Sequence, residues 1–176
     1  IRETLHRLGF LEVETPTLQL IHGGAAARPF GTHLNAFDID MTLRIALELY
    51  LKRAMVGGVD RVYEMGRIFR NEGIDSSHSA EFTMLESYQA WTDQYGIAET
   101  TKQIILDIAD ALGSRQIDTE AGVIDLDGEW RWLPLYDGLS EAVGETISLD
   151  TPLARLQAIA EERDIDIDPA WGADKL

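Results

Sequence analysis

The sequence predicts an α+β fold in which an antiparallel β-sheet is flanked by helices. Segments with strand-like alternation predominate in the middle of the chain, and short turns connect them, which favours antiparallel pairing over a βαβ array. The longest helical pattern follows these segments, at Ile97–Leu112. At 176 residues the chain is long enough for one domain with a sizeable core. We therefore expect a single domain over residues 1–176.

Short strands and turns alternate along the first half of the chain. Ile1, Leu5 and Leu8 are spaced for one face of a helix, and Gly9 is a natural helix end. We then expect a strand at Phe10–Glu14, a loop at Ile21–Phe30 and a hairpin at Thr32–Ile45 with its turn near Asn35–Ala36. A helix at Leu47–Met55 is expected to follow. After it we expect a strand at Arg61–Arg70, a loop at Asn71–Ala80 and a strand at Glu81–Trp91.

Helical patterns are more frequent in the second half. Apolar residues recur at helical spacing through Ile97–Leu112, and Gly113 is expected to end that helix. A strand-rich, irregular stretch is expected at Ile117–Leu135. Two further helices are expected, one at Leu135–Val143 and one at Thr151–Arg163. Pro152 is expected at the first helical position of the last helix, because its fixed φ suits that place.

The composition excludes several kinds of site. The chain has no cysteine, which rules out disulfides, thiolate catalysis and cysteine-ligated zinc. No apolar run approaches the roughly 20 residues of a membrane span. The first ten residues also lack the apolar core of a signal peptide. We expect a soluble, cytoplasmic protein that does not enter a membrane.

Acidic side chains are concentrated in the second half of the chain. The net charge is −16, of which residues 1–90 carry −3 and residues 91–176 carry −13. We do not expect the second half to grip nucleic-acid phosphates by itself, and a solvated acidic surface is its simplest interpretation. The arginines of the first half are placed singly, which suits point recognition of phosphates or carboxylates.

The stretch Phe69–Tyr88, which reads FRNEGIDSSHSAEFTMLESY, is the most informative about chemistry. Arg70 ends one predicted strand, and a loop with Glu72 and His78 follows. The next strand alternates so that four side chains share one face, those of Phe82, Met84, Glu86 and Tyr88. A cation, carboxylates, an imidazole and two aromatic rings around one hairpin suit a site that holds a nucleotide and a small charged substrate together.

Each candidate residue also has an ordinary structural interpretation. Arg70 could form a strand-end ion pair, and Glu86 with Tyr88 could be an exposed cross-strand contact. His78 could be an ordinary loop histidine, and Glu48 could be a charge on a helix surface. Phe82 and Met84 weaken the second alternative, because they make the face of Glu86 partly apolar. A carboxylate buried on such a face needs a partner, and a cationic ligand would supply one.

Three segments resemble the class II aminoacyl-tRNA synthetases, and most closely the lysyl-tRNA synthetases. FLEVETPTLQ is similar to the first motif of the class, with Pro16 as its proline. FRNEG…HSAEFTMLESY is similar to the second motif in its lysyl form, and GGAAARPFGTHLNAFDIDMTLRIALELYLKR resembles the lysyl-specific region between them. The resemblance covers nearly the whole chain. It implies the family's antiparallel sheet flanked by helices, here incomplete at the C-terminal end.

The resemblance implies an ATP-dependent lysine–tRNA ligase. Lysine and ATP would form lysyl-adenylate with release of pyrophosphate, with Mg²⁺ bridging phosphates, and the lysyl group would pass to tRNA(Lys). In this resemblance Arg70 would contact the α-phosphate of ATP and Glu72 the adenosine. His78 would contact the outer phosphates, and Phe82 would stack on the adenine ring. Arg70 would also bind the lysine carboxylate, which makes it the implied catalytic residue.

The remaining implied roles concern lysine and the homodimer. Glu86 and Tyr88 would hold the ε-ammonium of lysine, and Glu48 with the backbone of Gly24 would hold its α-ammonium. Pro16 would lie at a homodimer interface. The Mg²⁺ ligands are expected mostly outside this segment, so the sequence assigns no metal ligand.

The chain also departs from the family pattern. The third class II motif and the anticodon-binding domain are absent, the first residue is not methionine, and the chain stops at Leu176 without a helix cap. We expect a partial catalytic domain of a longer protein, inactive by itself. Leu47, Ser77 and Ala80 stand where the family commonly has proline, arginine and proline. Loss of an arginine near the phosphates could weaken ATP binding.

Two alternatives stay open at the level of sequence. A paralogue could move lysine to a protein or a lipid, since its lysine and ATP pockets would look alike. A non-catalytic dimerisation module is the other alternative, and calorimetry with lysine and an ATP analogue would separate it from the enzymes.

Overall fold

The computed structural model describes residues 1–168 and 170–175, which form two compact units, Ile1–Asp125 and Leu126–Leu176. Each unit is described by itself below, and the expected single domain over residues 1–176 stays a prediction. Helices and antiparallel strand pairs are both present, which confirms the mixed α and β content expected from the sequence. In the part of the chain described, no helix combines the length and the apolar character needed to cross a bilayer.

A three-stranded sheet is the centre of the first unit. Its strands are β1 (Leu11–Glu12), β5 (Arg61–Phe69) and β6 (Glu81–Gln89), in the order β1-β5-β6. The long hairpin of β5 and β6 is antiparallel, as predicted. The short strand β1 pairs with β5 in parallel, which the expectation of a purely antiparallel sheet missed. Chain direction at a two-residue strand leaves no local signal in the sequence, because the pairing is set by the route between distant segments.

A second sheet lies beside the loop predicted at Ile21–Phe30. It contains β2 (Leu18–Gln19), β3 (Gly31–Leu34) and β4 (Ile39–Leu43) in the antiparallel order β2-β4-β3. The expected hairpin is therefore confirmed, with a turn between Leu34 and Ile39. Asp38 closes this turn with a φ of 52°, a left-handed conformation that aspartate tolerates better than most residues.

Alternation along β5 and β6 divides the core of the first unit into two layers. Val62 and Ile68 point to the helix α2 (Glu48–Val56) and pack with Leu47 and Leu51. Tyr63 points to the opposite face. There it packs with Leu5 of helix α1 (Arg2–Arg7), Phe10 of the connection after α1, and Ile104 of helix α3 (Gln94–Leu112). Helices therefore cover both faces of the hairpin, and α2 covers the face that carries the predicted site.

The longest helix, α3, begins three residues before the expected Ile97 and has a cap at both ends. Asp93 accepts hydrogen bonds from the backbone N–H groups of Tyr95 and Gly96, at 3.0 and 3.1 Å. Gly113 ends the helix with a φ of 85°, as predicted for a glycine at this place. The strand-rich stretch that follows is a hairpin of β7 (Gln116–Thr119) and β8 (Gly122–Asp125), and strand structure does not extend to residue 135.

Among its described residues, the second unit contains two helices, α4 (Leu135–Val143) and α5 (Leu153–Glu162). The bounds of α4 match the prediction. Pro152 precedes α5 as its N-cap and is not at the first helical position, which corrects the prediction. Its ψ of 139° is extended, while its carbonyl already accepts hydrogen bonds from the N–H groups of Arg155 and Leu156. Ile147, Ile159 and Ala160 are buried in this unit.

Candidate active site

One face of the β5–β6 hairpin carries the predicted site, and we call it the site face. Its residues on β6 are Phe82, Met84, Glu86 and Tyr88, and those opposite them on β5 are Ile68, Gly66, Glu64 and Val62. Residues directly opposite in an antiparallel pair share a face, so the sequence-based expectation for β6 is confirmed. Arg70 follows β5 at the same end of the hairpin as Phe82.

Glu86 is partly buried and accepts two hydrogen bonds from the protein. Its Oε1 accepts from the backbone N–H of Leu47 at 2.9 Å, and its Oε2 accepts from the hydroxyl of Tyr88 at 3.0 Å. The sequence predicted a cationic ligand as the partner of this carboxylate, but the protein itself supplies two of its hydrogen bonds. Each carboxylate oxygen can accept a second hydrogen bond, so the pair can still receive an ammonium group.

Tyr88 is held in its neutral, donating form. Burial raises the pKa of its hydroxyl first, and the nearby carboxylates of Glu86 and Glu48 raise it further. The phenol therefore stays protonated at neutral pH and donates to Glu86. The result is a local negative charge with a fixed orientation, which suits a primary ammonium.

Gly24 and Glu48 meet beside this pair. Gly24 has a φ of 87°, and a Cβ atom added to it would lie 2.9 Å from the Cβ of Glu48 and 3.0 Å from that of Ala46. Only glycine fits this backbone and this approach. The Glu48 carboxylate also pairs with Lys52 one turn later at 2.6 Å, so the helix-surface interpretation holds for one of its contacts.

Arg70 and Phe82 are stacked at the other end of the site face. The guanidinium carbon of Arg70 lies 5.4 Å from the centroid of the Phe82 ring, within cation–π range. The Nε–H of Arg70 donates to the backbone carbonyl of Ile45 at 3.3 Å. These two contacts hold the guanidinium beside a flat apolar surface.

A cavity of about 360 Å³ opens next to the stacked pair. Its lining residues are Arg70, Glu72, Gly73, Ser77, His78, Ser79 and Phe82. All four residues expected to contact ATP therefore line one cavity. Its volume lies within the range of about 300–1,000 Å³ that is typical of small-ligand sites.

Two carboxylates organise the loop at residues 71–80. Glu72 accepts from the backbone N–H of Arg28 at 3.2 Å, which joins this loop to the glycine-containing loop before β3. Asp75 lies 2.9 Å from the Nδ1 atom of His78. The pKa of the Asp75 carboxyl is lowered, first by the backbone N–H of Ser77 and next by His78. Asp75 thus holds His78 at the rim of the cavity, a partner that the sequence did not identify.

A buried ion pair was also missed. Arg44 Nη1 lies 2.6 Å from Glu64 Oε1, and both side chains are almost fully buried. Glu64 stands directly across the hairpin from Glu86. The available signal was the presence of charged residues inside two apolar runs, LRIAL and RVYEMG.

The dimer and metal expectations have no direct structural counterpart. Pro16 is exposed between β1 and β2, and its interface role stays a prediction. Among residues 1–168 and 170–175, no three His, Asp or Glu residues are grouped so that they could hold a metal ion. We assign no ligand to Mg²⁺.

Comparison with known proteins bears on the whole chain. A family model described as "tRNA synthetases class II (D, K and N)" matches residues 1–174. The chain is 54% identical over 172 residues to the lysine–tRNA ligase of Mycobacterium bovis (strain BCG / Pasteur 1173P2), covering 97% of this chain and 34% of that ligase. It is 53% identical over 180 residues to the lysine–tRNA ligase of Mycolicibacterium gilvum (strain PYR-GCK), covering 100% and 36%.

A relative with a different name also matches. The lysylphosphatidylglycerol biosynthesis bifunctional protein LysX of Mycolicibacterium gilvum (strain PYR-GCK) is 50% identical over 179 residues, covering 98% of this chain and 16% of that protein. The chain spans about a third of the length of the two ligases it matches.

Proposed function

Because the chain belongs to the class II tRNA synthetases of the D, K and N group, we propose that it is part of the catalytic domain of a lysine–tRNA ligase. The whole enzyme would join lysine and ATP to give lysyl-adenylate and then transfer the lysyl group to tRNA(Lys). One observation carries the proposal: a guanidinium stacked on an aromatic ring and a carboxylate–phenol pair occupy the two ends of one strand face. The names of the relatives support the same substrate.

The proposed lysine site uses charge at both ends of the substrate. The ε-ammonium binds between Glu86 and Tyr88, whose oxygens are 3.0 Å apart and retain acceptor capacity. The α-ammonium binds Glu48 and the backbone of Gly24, which meet in close contact. Phe82 and Glu86 are four residues apart on β6, about 13 Å along the strand, which leaves room for an extended lysine between them.

The proposed ATP site is the cavity beside Arg70. Phe82 stacks on adenine, Glu72 contacts the adenosine, and His78 meets the outer phosphates. Arg70 binds the α-phosphate and the lysine carboxylate together, because a guanidinium presents several N–H donors in a planar fork. Its contact with Ile45 uses only one of these donors.

The proposed chemistry asks little covalent work of the protein. A lysine carboxylate oxygen attacks the α-phosphorus of ATP, and the bond to the bridging oxygen breaks to release pyrophosphate. The 3′-terminal hydroxyl of tRNA then attacks the carbonyl carbon of lysyl-adenylate, and AMP leaves. Arg70 accelerates the first step by holding the reactants in line and by neutralising the charge that grows on the phosphoryl oxygens. ATP and Mg²⁺ are the proposed substrate and cofactor, and the enzyme is proposed to be cytoplasmic and homodimeric through the Pro16 region.

Amino-acid-dependent ATP–pyrophosphate exchange tests the proposal in the full-length protein that carries this chain. Lysine, aspartate and asparagine are the informative substrates, because the family includes all three specificities. We expect exchange with lysine only, followed by lysylation of tRNA(Lys). Exchange with aspartate or asparagine, or none with lysine, would contradict the proposal.

LysX supports a second candidate, transfer of lysine toward a lipid product. The activation step and the residues proposed for it would be unchanged. Incubation with tRNA and with phosphatidylglycerol separates the two: lysyl-tRNA as the final product supports the ligase, and lysylphosphatidylglycerol supports the second candidate.

A further inference from the structure

The four residues Arg44 to Leu47, which connect β4 with α2, contact both ends of the site face. We call them the 44–47 segment. The carbonyl of Arg44 accepts from the N–H of Phe69 at 3.1 Å, next to Arg70. The carbonyl of Ile45 accepts from Arg70 itself, and the N–H of Leu47 donates to Glu86. One short segment therefore contacts both the guanidinium and the carboxylate that are proposed to bind lysine.

The side chain of Arg44 fixes this segment. It is buried, with an exposed fraction of 6%, and donates to four acceptors from two other parts of the chain. The acceptors are the carbonyl of Arg67 at 2.8 Å, the carbonyl and hydroxyl of Thr15 at 2.9 and 3.2 Å, and Glu64 Oε1 at 2.6 Å. Thr15 also donates to Glu64 Oε2 at 2.5 Å. The fork geometry of a guanidinium is needed to reach acceptors in so many directions.

Gly66 leaves the space in which the guanidinium lies. A Cβ atom at residue 66 would be 2.4 Å from Arg44 Nη2 and 2.9 Å from Glu64 Oε1. Gly66 faces Met84 in the middle of the site face. Arg44 therefore lies over the site face itself, between its two ends, in a slot that any side chain at residue 66 would fill.

Arg44 also neutralises one of two neighbouring carboxylates. Glu64 and Glu86 are direct cross-strand neighbours, an arrangement in which like charges repel. The ion pair neutralises Glu64, so the negative charge of Glu86 remains available to a cation. Loss of the pair would leave a second, uncompensated buried charge beside the proposed ammonium site.

We propose that Arg44, held by Glu64 and Thr15 over Gly66, is a positioning residue that sets the placement of Arg70 relative to Glu86. Arg44 acts through the 44–47 segment and is not proposed to touch lysine or ATP. The kinetic part of this inference rests on the proposed function. Its structural part, that Arg44 holds the segment in place, can be tested independently.

Arg44→Lys tests the proposal in the full-length protein. The variant keeps a positive charge near Glu64 but cannot donate to Thr15 and Arg67 together. We expect kcat/KM for lysine and kcat/KM for ATP in pyrophosphate exchange each to fall at least about tenfold, because both ends of the site lose their placement. Arg67→Lys is the matched control on strand β5, with a side chain that is 62% exposed, and we expect a change within about twofold.

Gly66→Ala displaces the guanidinium without removing any charge, and it serves if Arg44→Lys does not fold. We expect the same paired loss for lysine and ATP. Gly31→Ala is its control, because a Cβ atom there meets nothing within 4 Å and residue 31 is also in a strand. Amide hydrogen exchange at Leu47 and Phe69 should accelerate in both test variants and stay unchanged in both controls.

The outcomes separate the inference from the function. Wild-type kinetics in folded Arg44→Lys or Gly66→Ala would overturn the positioning role. So would a loss of kcat/KM confined to one substrate, or a loss that disappears once the rate is divided by the concentration of active sites measured by titration. Unchanged amide exchange at Leu47 and Phe69 would overturn it whatever the kinetics. If the unmodified protein shows no lysine-dependent exchange, the proposed function fails, while the amide measurement still decides whether Arg44 holds the segment.

Discussion

Glu86 combines a structural and a binding role at the scale of the single residue. Its two oxygens fix the start of α2 through Leu47 and orient the phenol of Tyr88. The same contacts hold the carboxylate in one rotamer before any ligand arrives, which lowers the entropic cost of binding an ammonium. Selectivity for lysine is therefore proposed to depend on a charge that the protein has already oriented.

Substitution of Glu86 by Gln tests that proposal. The amide keeps the size of the side chain but removes its charge, so lysine affinity should fall about 10- to 100-fold, while ATP affinity changes little. Isothermal titration with each ligand on the full-length protein measures both. Glu81→Gln is the control, because Glu81 is on the same strand with a side chain that is 55% exposed. Equal losses for lysine and ATP would exclude Glu86 as the ammonium ligand.

Asp75 makes the order of the 71–80 loop dependent on pH. The pKa of its carboxyl is lowered below the ordinary 3.8, so its hold on Ser77 and His78 is complete above pH 3.8 and is lost as the pH falls through the lowered value. Amide exchange at Ser77 and His78 should show protection from neutral pH to below pH 3.8. Asp75→Ala should lack this protection at every pH, and Asp118→Asn, in the exposed β7 strand, should keep it.

The placement of the proposed site residues could be predicted from the sequence where these residues are close together along the chain. The alternation of Phe82, Met84, Glu86 and Tyr88 and the resemblance to known motifs were enough to place them on one face. Arg44 and Glu64 were missed because their pairing joins segments 20 residues apart. A charged residue inside an apolar run indicates that it needs a partner, but a single sequence does not say which residue that partner is. Asp75 was missed because a loop carboxylate gives no pattern.

At the scale of the element, the β5–β6 hairpin positions the site by its register. A shift of one residue would turn the four site residues of β6 toward α1 and α3. Val62 and Ile68 prevent that shift, because they are fully buried against Leu47 and Leu51 on the site face. Hydrophobic packing against α2 and the proposed ligand binding on the site face therefore depend on the same alternation.

The cap of α3 is expected to stabilise the helix that covers the opposite face. Asp93→Ala removes the acceptor for two backbone N–H groups and should lower the free energy of unfolding by about 1 kcal/mol. Asp93→Asn should restore most of it, since asparagine caps helices about as well. Chemical denaturation of the two variants measures the difference. Equal stabilities would show that the cap contributes nothing at this position.

Element bounds were predictable where glycine or alternation marks them, as at Gly113 and along β6. The parallel direction of β1 and the N-cap place of Pro152 were not. Both depend on how the chain enters an element from outside it, which local propensity does not record. The same limit applies to strand β2, because Leu18 pairs with Leu43 and Gln19 pairs with Thr42, far apart in the sequence.

At the scale of the whole molecule, every residue proposed to bind lysine or ATP lies in the first unit, Ile1–Asp125. The second unit contains a separate apolar core around Ile147 and Ile159. Charge follows a different division, since residues 91–176 carry most of the net −16. Binding of both substrates is therefore proposed to require the packing of the first unit alone among the described residues.

Two core truncations test this division. Ile159→Ala should destabilise the second unit by about 2–4 kcal/mol and leave the KM for lysine unchanged. Leu51→Ala, in the helix packed against the site face, should cost a similar amount and also raise the KM for lysine. Denaturation followed by amide exchange within each unit measures the destabilisation. Lysine-dependent kinetics below the unfolding transition measure the KM. A raised KM in Ile159→Ala would place part of the lysine site outside the first unit.

A crystal structure of the full-length protein with a non-hydrolysable lysyl-adenylate analogue tests the central claim most directly. We predict the ε-ammonium within about 3 Å of both Glu86 and the Tyr88 hydroxyl, adenine stacked on Phe82, and the Arg70 guanidinium on the group that replaces the α-phosphate. An analogue bound with its ammonium away from Glu86, or with Arg70 directed to solvent, would contradict the account.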